Sequence, residues 1–175
     1  MKKVFYIWPF IALLAACKTP GEVLPEPDPE SKTIKIVKSN CGLSTTSSTE
    51  AKNVEFDIEG RSEKYIIEFS QKCRAHADYD EFVLDVGGSF KSISTYKVDR
   101  LVIDYFSKPG INFEVLDSQG VAVTGHESTI PTDYPNEGDF GAVLEFPING
   151  NSWVVRNASD VKKPAFYSVR VIFAI

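Results

Sequence analysis

From residue 32 onward, apolar and polar side chains alternate almost everywhere with a period of two. Val54, Phe56 and Ile58 alternate with Glu55, Asp57 and Glu59, and Ile111, Phe113 and Val115 alternate with Asn112 and Glu114. In the last run, Tyr167, Val169, Val171, Phe173 and Ile175 share one side, while Phe166, Ser168, Arg170, Ile172 and Ala174 share the other. Successive side chains of a strand point to opposite faces, so this spacing predicts strands with one face in a core and one in water. No long segment carries the 3.6-residue period of an amphipathic helix. The predicted strands cover residues 33–38, 53–59, 64–70, 81–86, 97–106, 111–117, 120–124, 141–147, 152–156 and 165–174.

Turn chemistry separates these runs. Lys108-Pro109-Gly110-Ile111 sets Pro and Gly at the two central positions of a type II turn. Asn149-Gly150 is a two-residue hairpin signal, and Asp117-Ser118-Gln119-Gly120 joins two further strands. Short strands with frequent turns predict an all-β fold, an antiparallel β-sandwich over residues 32–175. That span is long enough to bury a core of its own. The stretch YKVDRLVIDYFSKPGINFEVLDSQG (96–120) and the final SVRVIFAI resemble the β-meander and closing strand of galactose-binding-like jelly rolls. The likeness is one of pattern over about half of the globular region. It implies jelly-roll topology, loops that bind sugar and a place for a structural calcium. An immunoglobulin-like sandwich is the competing topology, though it ordinarily takes only about 100 residues.

The N-terminal residues follow a different rule. Lys2 and Lys3 precede Val4–Ala16, an uncharged and mainly apolar run. A membrane-spanning helix needs about 20 such residues, so residues 1–16 read instead as an export signal peptide. The run ends Leu14-Ala15-Ala16-Cys17, which resembles the lipobox of bacterial lipoproteins. The resemblance implies cleavage before Cys17, a lipid on its sulfur and acylation of the new amino group. The membrane is then a partner through that lipid, and the expected location is the cell envelope. Lys18 in place of aspartate points to the outer membrane, facing either the periplasm or the cell surface. Residues 17–31 carry Pro20, Pro25, Pro27 and Pro29 among Glu22, Glu26, Asp28 and Glu30. Such a segment favours extended polyproline II geometry and reads as a tether reaching about 40 Å.

With Cys17 lipidated, Cys41 and Cys73 remain, and in an oxidising compartment a disulfide between them is expected. Closing that loop would stabilise the fold by about 3–4 kcal/mol.

Charge and composition narrow the function. The 175 residues include 19 Lys and Arg against 24 Asp and Glu, a net charge of −5. Nucleic acid needs clustered cations and is excluded as a partner. Three cysteines and two histidines argue against a multi-cysteine metal centre. No nucleophile elbow, phosphate loop or zinc-protease motif occurs, and His126-Glu127 lacks the second histidine of a zinc site. His76 lies beside Asp78, Asp80 and Glu81, oxygen ligands of the kind calcium takes. The EF-hand glycine and terminal glutamate are missing, so the reading there is a solvated acidic loop, with no cofactor expected. The loop GHESTIPTDYPNEGD (125–139) is long for a connection in a compact domain, and such loops are usually functional or disordered. Its His126, Asp133, Tyr134 and Asp139 are candidate ligand-binding residues, with Trp153 as a further platform or a core residue. Aromatic rings stack on the apolar faces of sugars and carboxylates accept bonds from hydroxyls, an inventory suited to a neutral glycan. Nothing in the linear sequence sets two carboxyl groups across a substrate as glycoside hydrolysis requires. The expectation is therefore a non-catalytic envelope lipoprotein that binds extracellular carbohydrate. The competing expectation is a structural or protein-interaction subunit of an envelope complex, using its strand edges.

Overall fold

Strands rich in Val, Ile, Phe and Tyr, which suit a pleated and half-buried surface, make up the regular structure of the described residues in the computed structural model of this chain. It describes residues 32–106, 112–132 and 141–174. Among them are twelve strands and no helix: β1 (Thr33–Ile36), β2 (Lys52–Asp57), β3 (Lys64–Phe69), β4 (Cys73–Ala75), β5 (Phe82–Leu84), β6 (Ser89–Ser92), β7 (Val98–Phe106), β8 (Phe113–Leu116), β9 (His126–Glu127), β10 (Gly141–Gly150), β11 (Val154–Asn157) and β12 (Ala165–Phe173). The expected signal peptide, Cys17, the expected tether and the expected Pro109-Gly110 turn lie outside the described residues.

The strands form two sheets packed as a sandwich. The larger runs β4-β5-β12-β7-β10-β9, with β1 also paired to β12; the smaller runs β2-β3-β6-β11-β8. Every pairing is antiparallel. One edge of β12 serves two partners: β5 bonds at Ala165 and Phe166, and β1 bonds from Val169 to Ile172.

The core lies between the inner faces. The larger sheet contributes Leu101, Ile103, Val169 and Val171, and the smaller contributes Tyr65, Ile67, Phe69 and Val155. Phe82 and Phe166 from one sheet meet Phe69 and Phe90 from the other. Phe82 is 5.9 Å from Phe69, and Phe166 is 5.6 Å from Phe90, both edge-on. Such contacts add about 0.5–1.5 kcal/mol each beyond the area they bury.

Three expectations from the sequence need correction. First, the alternation of β12 does not run unbroken. The register against β7 slips between Phe166 and Ser168, leaving Tyr167 as an extra residue. That bulge turns Phe166 into the same core as Val169 and Val171. Second, Asn149-Gly150 is not a hairpin. Asn149 has the positive φ of 49° that such a turn wants, but β10 and β11 belong to different sheets. The pair lies instead inside β10, at the slip in its register against β7. Third, residues 120–124 form only an isolated bridge, Leu116 to Ala122, while β4, β6 and β9 are strands too short to show a period. Cys41 and Cys73, expected to pair, are unbridged in this structure. Both are buried free thiols. Each Sγ donates instead to a main-chain carbonyl, Cys41 to Lys38 at 3.3 Å and Cys73 to Ser89 at 3.1 Å.

Candidate functional site

The outer face of the larger sheet carries a polar cleft, and a backbone irregularity builds it. Pairing with β12 runs from Ile172–Arg100 directly to Phe173–Val98, so Asp99 is an extra residue in β7. The neighbouring pairing with β10 slips at the same height, between Pro147 and Gly150. Val98 and Leu101 both point into the core, and Asp99 with Arg100 is left between them on the wet side. Bulges re-aim side chains in this way and occur often beside functional sites.

Register places the remaining groups. Pro147 of β10 stands directly opposite Arg100, and Glu145 opposite Val102. Glu145 is in turn opposite His126 of the short edge strand β9. Residues opposite each other in a ladder share a face, so the imidazole and the carboxylate lie on the side that carries Arg100. Asp99, Arg100, His126, Glu145 and Pro147 line a cleft of about 190 Å³. The Arg100 guanidinium sits between two carboxylates, with Nη1 3.6 Å from Asp99 Oδ2 and Nε 3.8 Å from Glu145 Oε2. Those lengths are electrostatic contacts rather than hydrogen bonds. Glu145 is held more firmly by Ser128, whose hydroxyl donates to Oε1 at 2.6 Å.

Residues 125–132 fold back onto this sheet. Gly125 makes the approach: a Cβ there would come within 2.6 Å of Cε1 of Phe146. Ser128 N donates to Val143 O at 3.0 Å, continuing the ladder past β9. Ile130 then packs on Val102, Val143 and Ile172, a small apolar cluster on the outer face. Thr132 donates to the buried Asp104 at 2.9 Å. Ser168, opposite Asp104 in the register, has a buried hydroxyl with no hydrogen-bond partner among the described residues.

The sequence-derived candidates divide accordingly. His126 is exposed and lines the cleft. Asp133, Tyr134 and Asp139 lie outside the described residues. Trp153 is fully buried and donates its indole N–H to Tyr65 Oη at 3.0 Å. Its faces are taken up by the core, Phe90 among them at 5.8 Å, so it offers no platform to a sugar. His76 is bound into its own turn, with Nδ1 accepting from the main-chain N–H of Asp78 and Tyr79 at 3.2 and 3.3 Å. Among the described residues no group of three His, Cys, Asp or Glu is placed to hold a metal ion. Asp99, Arg100, Glu145 and Pro147 were not legible as a group, because strand neighbours and bulges are not written in one sequence.

Chemically the cleft offers a guanidinium, two carboxylates, an imidazole and an apolar ring edge in a small volume. It can donate to and accept from adjacent hydroxyl groups at once. Two carboxylates against one guanidinium disfavour an anionic ligand. Comparison with protein-family models, with curated proteins and with solved structures found no match.

Proposed function

We propose that this chain is a non-catalytic lipoprotein of the cell envelope, probing its surroundings with a β-sandwich that binds a neutral carbohydrate. The leader and lipobox pattern support export and anchoring at Cys17, with the outer membrane as the destination. The observation that carries the binding reading is the bulge-built cleft of Asp99, Arg100, His126, Glu145 and Pro147. Sugar hydroxyls both donate and accept, and paired carboxylates and guanidinium satisfy both roles. The pyrrolidine edge of Pro147 gives the apolar face of a pyranose a surface to lie on. A site of about 190 Å³ suits one sugar ring rather than a long buried chain.

A protein-docking reading draws on the strand edges, that of β2 in the smaller sheet among them. Exposed Lys52, Glu55 and Asp57 along that strand oppose it, since charges on an edge discourage strand addition. The test is a titration of the folded domain with neutral gluco-, galacto- and manno-oligosaccharides, followed by nuclear magnetic resonance. Binding that Glu145→Gln weakens at least about tenfold, by loss of a charge-assisted bond, supports the carbohydrate reading. Failure of every oligosaccharide to bind a verified folded domain rejects it.

A further inference from the structure

The connection from β1 to β2, residues 37–51, forms no strand and is fastened by Lys38 Nζ, which donates to Tyr79 O at 2.6 Å, and by the bonds that follow. Ser44 O accepts from Ala75 N of β4 at 2.8 Å. Ser47 donates to Asp85 at 3.0 Å. Lys52, at the start of β2, donates from Nζ to Gly42 O. Between the connection and the sheet lies a cavity of about 130 Å³, lined by Gly42, Leu43 and Ser44 on the connection and by Ser70 and Cys73 at its foot. Cys41 immediately precedes that wall and is buried in the same core cluster as Cys73. Cys73 thus lines the space and Cys41 adjoins the Gly42 that walls it, on segments joined by a main-chain hydrogen bond three residues from the first and two from the second.

We infer that Cys41 and Cys73 are a redox-closable pair whose oxidation staples residues 37–51 to β4 beside this cavity. The step is thiol–disulfide exchange. One cysteine thiolate attacks an external disulfide, forming a mixed disulfide and expelling one thiolate. The second cysteine thiolate then displaces the other half. The two thiols lose two protons and two electrons, and the external disulfide leaves as two thiols. Burial raises both groups, Cys73 to about 11, and Cys41 and Cys73 lie close enough for the charge of one to oppose that of the other. Neither is a nucleophile at neutral pH while covered. Closure thus belongs to the folding chain, or to moments when residues 37–51 lift, rather than to the resting fold. The export reading enters only as the source of the oxidant, so the pairing is testable apart from it.

The experiment uses the full chain, reduced and unfolded, then refolded with oxidised and reduced glutathione. Acid quenching, alkylation and peptide mapping without reductant follow. The expected result is a Cys41 peptide joined to a Cys73 peptide, with Cys17 alkylated or carrying glutathione. The same bridge is expected in Cys17→Ser, where no third thiol competes. Full alkylation of Cys41 and Cys73 in both chains, or linkage of either to Cys17 in the refolded full chain, would overturn the pairing. Absence of binding to any sugar would leave it standing.

Discussion

Trp153 donates its indole N–H to the phenol oxygen of Tyr65 at 3.0 Å, inside the core and across the intervening strand β6. Both side chains are fully buried. A buried donor without an acceptor costs about 1–3 kcal/mol. Tyr65→Phe removes the acceptor while preserving nearly all of the volume, so the fold should lose stability in that range. Urea unfolding of the two proteins measures it. A change below about 0.5 kcal/mol would show that the bond is replaced or adds nothing.

The same phenol makes stability sensitive to alkali. Burial is the main cause that pushes Tyr65 up from 10.0 to about 12. The folded state therefore keeps its proton where the unfolded state loses it. Stability is complete below pH 10 and declines as pH rises toward 12. The loss over that window is on the order of 2 kcal/mol. Tyr65→Phe should show a flatter decline than the parent chain, since every other group is the same in both. Unfolding series at several alkaline pH values read the difference in slope; parallel curves would contradict the assignment.

Asp85 acts at the other end of the scale. Burial alone would raise its carboxyl, but bonds from Lys163 and Ser47 and the charge of Arg74 outweigh burial and hold it below 3.8. Its contribution is present above the unfolded value and is lost as pH falls through the folded one. With Lys163 half exposed, solvent screening keeps the effect on the order of 1 kcal/mol. Asp85→Asn should destabilise at pH 7 and be near neutral at pH 2, as thermal or urea unfolding at the two pH values would report. Equal destabilisation at both would mean that packing, not charge, is lost.

Gly125 positions the cleft from behind. A methyl group there would meet the Phe146 ring at 2.6 Å, far inside normal contact. Gly125→Ala should push β9 away from β10 and move His126 from Glu145. The expected signs are faster amide exchange at Ser128, whose N–H bonds Val143 O, and weaker sugar binding with the core strands still protected. Unchanged exchange at Ser128 would show that Phe146 yields instead.

The all-β sandwich was readable because alternation is a local property and one face of each strand is dry. Val54–Glu59 and the latter half of β12 obey it directly. What escaped was set by long-range geometry. The bulge at Tyr167 reverses the parity of Phe166, and the bulge at Asp99 gathers the cleft; each arises from register against a neighbour far along the chain. Trp153 was ambiguous for another reason: flanking valines mark a strand but do not say which face the indole takes. His126 was found because it interrupts a long polar loop. Its partners Arg100 and Glu145 looked like ordinary outward charges on regular strands.

The most direct test follows backbone and side-chain resonances of the folded domain while a neutral oligosaccharide is added. The account predicts saturable shifts clustered on Asp99, Arg100, His126 and Glu145, greatly reduced in Glu145→Gln. Shifts centred elsewhere on the sandwich, or none with any oligosaccharide of the panel, would contradict it.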